Sequence, residues 1–328
     1  DTWFWSMGLG FDSLSPSNMK LFSGRSNKKL AKGIADYIGI PLGKVDVHPF
    51  SDGELHVAFQ ENIRNEDVFI IQSTNPPAEN IFELLLMLDA ARRASARTVI
   101  AVVPYFGYGR QDRKDEPRVP ISARLKLDLI TGCGVDRIIT MDLHSPQIQG
   151  FVNIPFDHLY SRIALIDRLK EMKLNENDGA VLAPDVGSAK MSQAYAKTLQ
   201  VGFALIDKRR PKANEAVVAN VVGELAGKHV LIIDDMIDTA GTTANAAKLA
   251  IDKGALSVSA VATHAVLSGP AIDRLKESQI DKVIVSDTIE ISDQKKFDKL
   301  EIISVADVFG ESIKRIVDGR SLSSLFNK

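Results

Sequence analysis

Short apolar runs alternate with helically spaced apolar positions along most of the 328 residues. This is the pattern of α/β layers on a mainly parallel sheet. Strands are predicted at 20–23, 45–50, 68–73, 99–106 and 137–143, and a second series at 180–184, 203–207, 229–234, 258–266 and 282–286. The two series read as copies. VFIIQSTNPPAENIFELLLMLDAARRASARTVIAVV from Val68 and VLIIDDMIDTAGTTANAAKLAIDKGALSVSAVA from Val230 keep strand, loop, helix and next strand in step. Self-similarity on that scale predicts two domains of one fold rather than a short-repeat solenoid.

The boundary is expected within 160–176, giving one domain over 19–165 and a second over 166–306. Ile313, Ile316 and Val317 have helical spacing, and 307–328 is expected to pack back on the first domain. Residues 1–18 hold both tryptophans but lack the basic and long apolar regions of a signal peptide. They are read as an extension or cloning scar, with Met19 as the natural start.

Composition narrows the function classes. Forty basic against forty-two acidic side chains leave a net charge of −2, so no global charge favours a nucleic acid or an anionic membrane as partner. A small ligand is expected instead. A single cysteine, Cys133, excludes an internal disulfide framework and a cysteine-rich zinc site, and fits the reducing cytoplasm. No apolar run approaches the roughly 18 residues that span a bilayer.

The copies differ most after one strand: QSTNPPAEN in the first half, DDMIDTAGTT in the second. Open α/β sheets bind ligands at the carboxyl ends of their strands. There, Thr239, Ala240, Gly241 and Thr242 would open a helix whose free N–H groups and dipole face an anion. The carboxylates of Asp234, Asp235 and Asp238 can accept from a vicinal diol. Phosphate and carboxylates repel, so they must hold different parts of one ligand, and a sugar phosphate such as ribose 5-phosphate satisfies both. A Walker B element would also place Asp-Asp after an apolar strand, but no G-x-x-x-x-G-K-[ST] loop accompanies it.

Six motifs stand in order: FSDGE (50–54), PYFGYGRQDRK (104–114), MDLHSPQIQGF (141–151), APDVG (183–187), IDKRRP (206–211) and HVLIIDDMIDTAGTT (229–243). Together they resemble the ribose-phosphate diphosphokinases over essentially all of 19–328. That resemblance implies two duplicated phosphoribosyltransferase-like domains, each a mainly parallel sheet flanked by helices. It implies transfer of the β,γ-diphosphate of Mg-ATP to the 1-hydroxyl of ribose 5-phosphate, giving 5-phosphoribosyl 1-diphosphate and AMP. Phe50, Asp52, Glu54, Arg110, Gln111 and Asp115 would meet ATP, His144 and Asp185 a magnesium ion, and Lys208 and Arg210 would be the catalytic cations. Asp234 and Asp235 would hold the diol or a second magnesium, and the metal rather than a side-chain base would activate the nucleophile.

The resemblance further implies a homo-oligomer, a hexamer built from dimers, whose ATP sites are completed by a neighbour's FSDGE loop. Activation by inorganic phosphate would involve Arg64, Ser73, Gln149, Asp157, Ser321 and Ser323. Gly109, Ser188 and Asn62 depart from the common family pattern. A regulatory paralogue without activity and a phosphoribosyltransferase remain as alternatives; retention of Lys208 and Arg210 speaks against the first, and the duplication against the second.

Overall fold

The structure, a computed structural model, describes residues 18–209 and 218–326. In chain order the first half forms β1 (Met19–Ser23), α1 (Lys28–Ile38), β2 (Val45–Pro49), β3 (Leu55–Phe59), β4 (Asp67–Ile71), α2 (Glu79–Arg93), β5 (Thr98–Val103), α3 (Ser122–Gly132), β6 (Arg137–Met141) and β7 (Phe156–Leu159). The second half forms α4 (Arg162–Lys170), β8 (Gly179–Ala183), α5 (Ala189–Leu199), β9 (Gly202–Arg209), β10 (Val218–Val222), β11 (His229–Ile237), α6 (Gly241–Asp252), β12 (Ser257–Ala265), α7 (Ala271–Glu277), β13 (Lys282–Ser286), β14 (Leu300–Ile303), α8 (Ala306–Val317) and α9 (Ser323–Phe326).

The first sheet runs β1-β4-β5-β6-β7, all parallel, while β2 and β3 pair with each other as a separate antiparallel hairpin. The second runs β10-β9-β8-β11-β12-β13-β14. Without β9 and β10 the second repeats the first strand for strand, so the duplication expected from the sequence is present. The pair that stands free as a hairpin in the first copy has become a sheet edge in the second, with β9 parallel to β8 and β10 antiparallel to β9.

All ten predicted strands form, with ends within three residues of those expected. One shift matters: β11 continues to Ile237, so Asp234 and Asp235 belong to the strand and only residues 238–240 separate it from α6.

Both sheets are covered on both faces, which explains their near-continuous apolar strands. In β4, Val68 and Ile70 pack with Leu84, Met87 and Leu88 of α2, whereas the alternate residues Phe69 and Ile71 pack with α1. On that second face α8 completes the layer, its Phe309, Ile313 and Val317 joining Leu30 and Ile34. Leu165, Ile166 and Leu169 of α4 instead pack with Val181 and Tyr195.

Phe309 is fully buried in this layer. Phe309→Ala is expected to cost about 3–5 kcal/mol of stability, read as a lower urea midpoint.

Candidate active site

The carboxyl ends of both parallel sheets meet, and between them lies a cavity of about 920 Å³. The first domain contributes the segment after β5, with Arg110 and Asp115, and the segment after β6, with His144. The second contributes Asp185 after β8, Asp234 and Asp235 at the end of β11, and residues 238–242 leading into α6.

Two ion pairs cross the cleft. Arg110 Nη1 donates to Asp238 Oδ2 at 2.7 Å, and His144 Nδ1 lies 2.8 Å from Asp235 Oδ2. Asp238 also accepts from the Ser268 hydroxyl, so both of its oxygens are engaged. Burial alone would raise the Asp238 and Asp235 carboxyls, but these donors outweigh it and hold both below the usual range. Asp234 behaves differently. Burial, reinforced by the adjacent Asp235 charge, pushes its carboxyl up to about 9. Asp234 is therefore protonated at neutral pH unless a cation or a ligand donor joins it.

The phosphate-type loop has open donors. Ala240, in the left-handed region at φ 61°, turns the chain into α6, and no side chain caps that helix. Its first N–H groups and positive dipole end therefore face the cavity with Thr239 and Thr242 alongside.

A buried polar seam holds the two walls in register. Asp142 Oδ2 accepts from Ser161 N–H at 3.0 Å and from the Thr263 hydroxyl at 2.6 Å, and the Ser161 and Thr263 hydroxyls are 2.7 Å apart. His264 Nε2 donates to the Asp142 carbonyl at 3.0 Å, leaving Nδ1 to accept from Thr288 at 2.8 Å. Burial lowers the His264 pKa, in keeping with this neutral tautomer. Ser73, whose hydroxyl donates to the Thr288 carbonyl at 2.5 Å, adds another tie between the halves.

The other expected site residues fall into several places. Asp185 accepts from Ser188 N–H at 3.1 Å and thus braces its own loop, while His144 takes Asp235 as its partner instead. Phe50, Asp52 and Glu54 occupy the tip of the β2–β3 hairpin, where Glu54 N–H donates to Asp52 at 3.0 Å; none lines the cavity. Gln111 accepts from the Ser122 hydroxyl at the start of α3. The Lys208 backbone pairs with Ala219; its side chain and all of Arg210 lie outside the described residues. Ser321 and Ser323 are 2.8 Å apart through their hydroxyls, Asp157 accepts from Arg137 at 2.6 Å, Gln149 approaches His158 at 3.4 Å, and Arg64 donates to Ser95 at 3.1 Å. Ser73 is fully buried.

Sequence reasoning gave Asp142, Ser161, Thr263 and Ser268 no role. Their signal was weak: small polar residues inside an apolar strand, as Thr263 in β12, or just beyond one, as Asp142, Ser161 and Ser268, with partners more than a hundred positions away for the Asp142–Thr263 contact.

Residues 19–134 match the family model of the N-terminal domain of ribose phosphate pyrophosphokinase, and 210–327 that of the phosphoribosyl synthetase-associated domain. A ribose-phosphate pyrophosphokinase of Chlorobaculum tepidum is 54% identical, covering 94% of this chain and 95% of the relative. The chain belongs to the ribose-phosphate pyrophosphokinase family. The Aquifex aeolicus pyrophosphokinase is 48% identical, covering 94% of this chain and 99% of its own. The crystal structure of phosphoribosylpyrophosphate synthetase from Mycobacterium smegmatis superposes with a TM-score of 0.86 at 37% identity, covering 92% of this chain and 99% of that one. The protein is accordingly an enzyme of the ribose-phosphate pyrophosphokinase class, with the duplicated fold that its sequence predicted.

In this pyrophosphokinase the hydrogen bond to Asp235 raises the His144 pKa above 6.5, against the lowering effect of burial. The His144 contribution to stability is therefore full below the unfolded histidine pKa and lost as pH rises through the higher native value. The Asp235 contribution is present above the unfolded carboxylate pKa and lost as pH falls through its depressed native value. NMR titration should give a His144 midpoint above 6.5 in the free enzyme, and Asp235→Asn should lower it.

Proposed function

We propose that the enzyme transfers the β,γ-diphosphate of Mg-ATP to the 1-hydroxyl of ribose 5-phosphate in this cleft. The carrying observation is one cavity with an uncapped helix start and an acid pair on one wall, and a guanidinium loop on the other. The 1-oxygen attacks the β phosphorus, the bond from that phosphorus to the α,β-bridging oxygen breaks, and AMP departs with the bridging oxygen. The hydroxyl proton is released.

In this reading Thr239 to Thr242 receive the 5-phosphate through backbone N–H groups. Asp234 and Asp235 accept from the 2- and 3-hydroxyls or hold a magnesium ion. Arg110, Gln111 and Asp115 position ATP, and guanidinium suits its phosphate oxygens because it can donate two parallel hydrogen bonds. Lys208 and Arg210 supply the cations that neutralise charge developing on the transferred group.

Among the described residues no three His, Cys, Asp or Glu side chains form a ready-made metal cage. Magnesium does not require one, since it keeps waters and is often held by one or two carboxylates together with substrate phosphates. The elevated Asp234 pKa fits this: the acid pair carries a proton that a cation would replace. His144 and Asp185, on the same cavity, would hold the ATP-bound ion, giving two per site. Bound magnesium would withdraw charge from the phosphates and make the 1-hydroxyl easier to deprotonate.

A homohexamer of dimers accounts for the β2–β3 hairpin. Phe50 is half exposed and Asp52 and Glu54 lie outside the cavity; in this reading they would meet a neighbouring subunit's adenine. Inorganic phosphate as activator would act through Arg64, Gln149, Asp157, Ser321 and Ser323. A cytoplasmic location is in keeping with the single cysteine, which fits a reducing compartment, and no described helix is long and apolar enough to cross a membrane.

Phosphorus NMR of enzyme, Mg-ATP and ribose 5-phosphate should show AMP and the phosphoribosyl diphosphate appearing together. Formation of ADP and a ribose bisphosphate, from transfer of a single phosphoryl group, would overturn the proposal, and silence from folded protein with added phosphate would favour a regulatory paralogue. Arg110→Ala should raise KM for ATP by roughly tenfold or more, the loss of a charge-assisted contact of about 1.5–3 kcal/mol.

A further inference from the structure

Lys126 on α3 is the one lysine or arginine among the described residues that is buried, with 3% of its surface exposed. Among the described residues no carboxylate pairs with it. Its Nζ donates to Thr74 Oγ1 at 2.6 Å and to the Gly107 carbonyl at 3.1 Å, and lies 3.5 Å from the centre of the Phe106 ring. Burial among neutral partners pushes the Lys126 pKa well below the ordinary lysine value, so a lysine is costly here, and an apolar side chain of similar volume is often as stable or more so. Fold stability therefore gives little reason for a lysine at this position.

Its partners suggest another reason. The Thr74 hydroxyl is saturated: it donates to the Tyr105 carbonyl at 2.9 Å and accepts from Gly107 N–H at 3.0 Å and from Lys126. The two segments are in close contact, since a Cβ on Gly107 would stand 2.1 Å from the Thr74 carbonyl oxygen. Beyond this junction Tyr108 takes a left-handed turn at φ 64°, and Arg110 then reaches across to Asp238. The far end of the segment is held by the same helix: Ala123 N–H donates to the Gln111 carbonyl at 3.1 Å, and the Ser122 hydroxyl to its side chain. Helix α3 thus clasps residues 107–111 at both ends, with Lys126 at the entrance.

We propose that Lys126 is a positioning residue for diphosphate transfer, pinning with Thr74 the start of the segment that presents Arg110 and Gln111 to ATP. This rests on the reading above that Arg110 receives ATP. It assigns a catalytic consequence to a residue that touches neither substrate.

Lys126→Met keeps the side-chain length and removes the donor. It should fold with a Tm no lower than that of the parent enzyme. Its KM for ATP should rise roughly ten- to hundredfold, the scale on which a displaced positioning group acts, while KM for ribose 5-phosphate stays within about twofold. Thr74→Val removes the same junction from the other side and keeps the test decisive if Lys126→Met does not fold. If the two residues act as one unit, the double variant should be no worse for ATP than the more impaired single one. An unchanged KM for ATP in both single variants would overturn the inference. So would a common loss of Tm and of affinity for both substrates, which marks a purely structural lysine. Arg110→Ala separates the two levels: no effect of that variant on KM for ATP would remove the underlying reading of the ATP site instead.

Discussion

Asp142 accepts two hydrogen bonds through one carboxylate oxygen, from Ser161 N–H and from the Thr263 hydroxyl, at a position only 3% exposed. Its own carbonyl is held by His264 from the opposite domain. Buried polar groups must be satisfied, and each loses much if its partner moves. This seam therefore tolerates little sliding between the two sheets. His144 lies two residues further along the same segment, so its meeting with Asp235 depends on that fixed register. An apolar interface could repack after a small displacement; a network of directional bonds resists it.

The central strands were legible because burial on both faces makes them near-continuous apolar runs. The four strands missed, β3, β7, β10 and β14, are short and lie at edges or in the hairpin. Asp52-Gly53 is a hairpin-turn signal, but the ligand motif that contains it draws attention from β3, the short strand that follows. The acidic loop announced its chemistry through residue type and spacing, yet β11 extends through Asp234 and Asp235 because its pairing with β12 overrides their poor strand propensity. Lys126 was invisible for a related reason. It stands between Leu125 and Leu127, and the helix buries the lysine while Leu125 and Leu129 are 58% and 48% exposed. The rest of α3 follows the usual pattern, with Ala123, Leu127 and Ile130 buried and Arg124 and Asp128 exposed, so the exception at Lys126 has no local signature. Partners contributed by distant loops leave no local periodicity to detect.

Duplication gave both halves the same strand end, and the two ends now differ in use. In the second half Asp234 and Asp235 leave charge facing a cavity. In the first, the aligned Gln72 and Ser73 turn to internal partners: the Gln72 side chain accepts from Ser26 at 2.7 Å, and Ser73 bonds to Thr288. Gln72 occupies the space over Gly24, where an added Cβ would meet its oxygen at 2.2 Å. Gln72 thus packs the strand end against its own domain, and the Ser73 contact makes it a support for the other domain. One ancestral surface has become a site in one half and scaffolding in the other.

The position of α8 has a consequence for synthesis. Its Phe309, Ile313 and Val317 complete the layer over α1 and β1, yet it follows every strand of the second domain in the chain. As the polypeptide leaves the ribosome, the first sheet stays incompletely covered on that face until the second domain has been translated. The order of the genetic message thus joins the maturation of the two halves: the earlier one reaches its finished surface only after nearly all of the later one has been made.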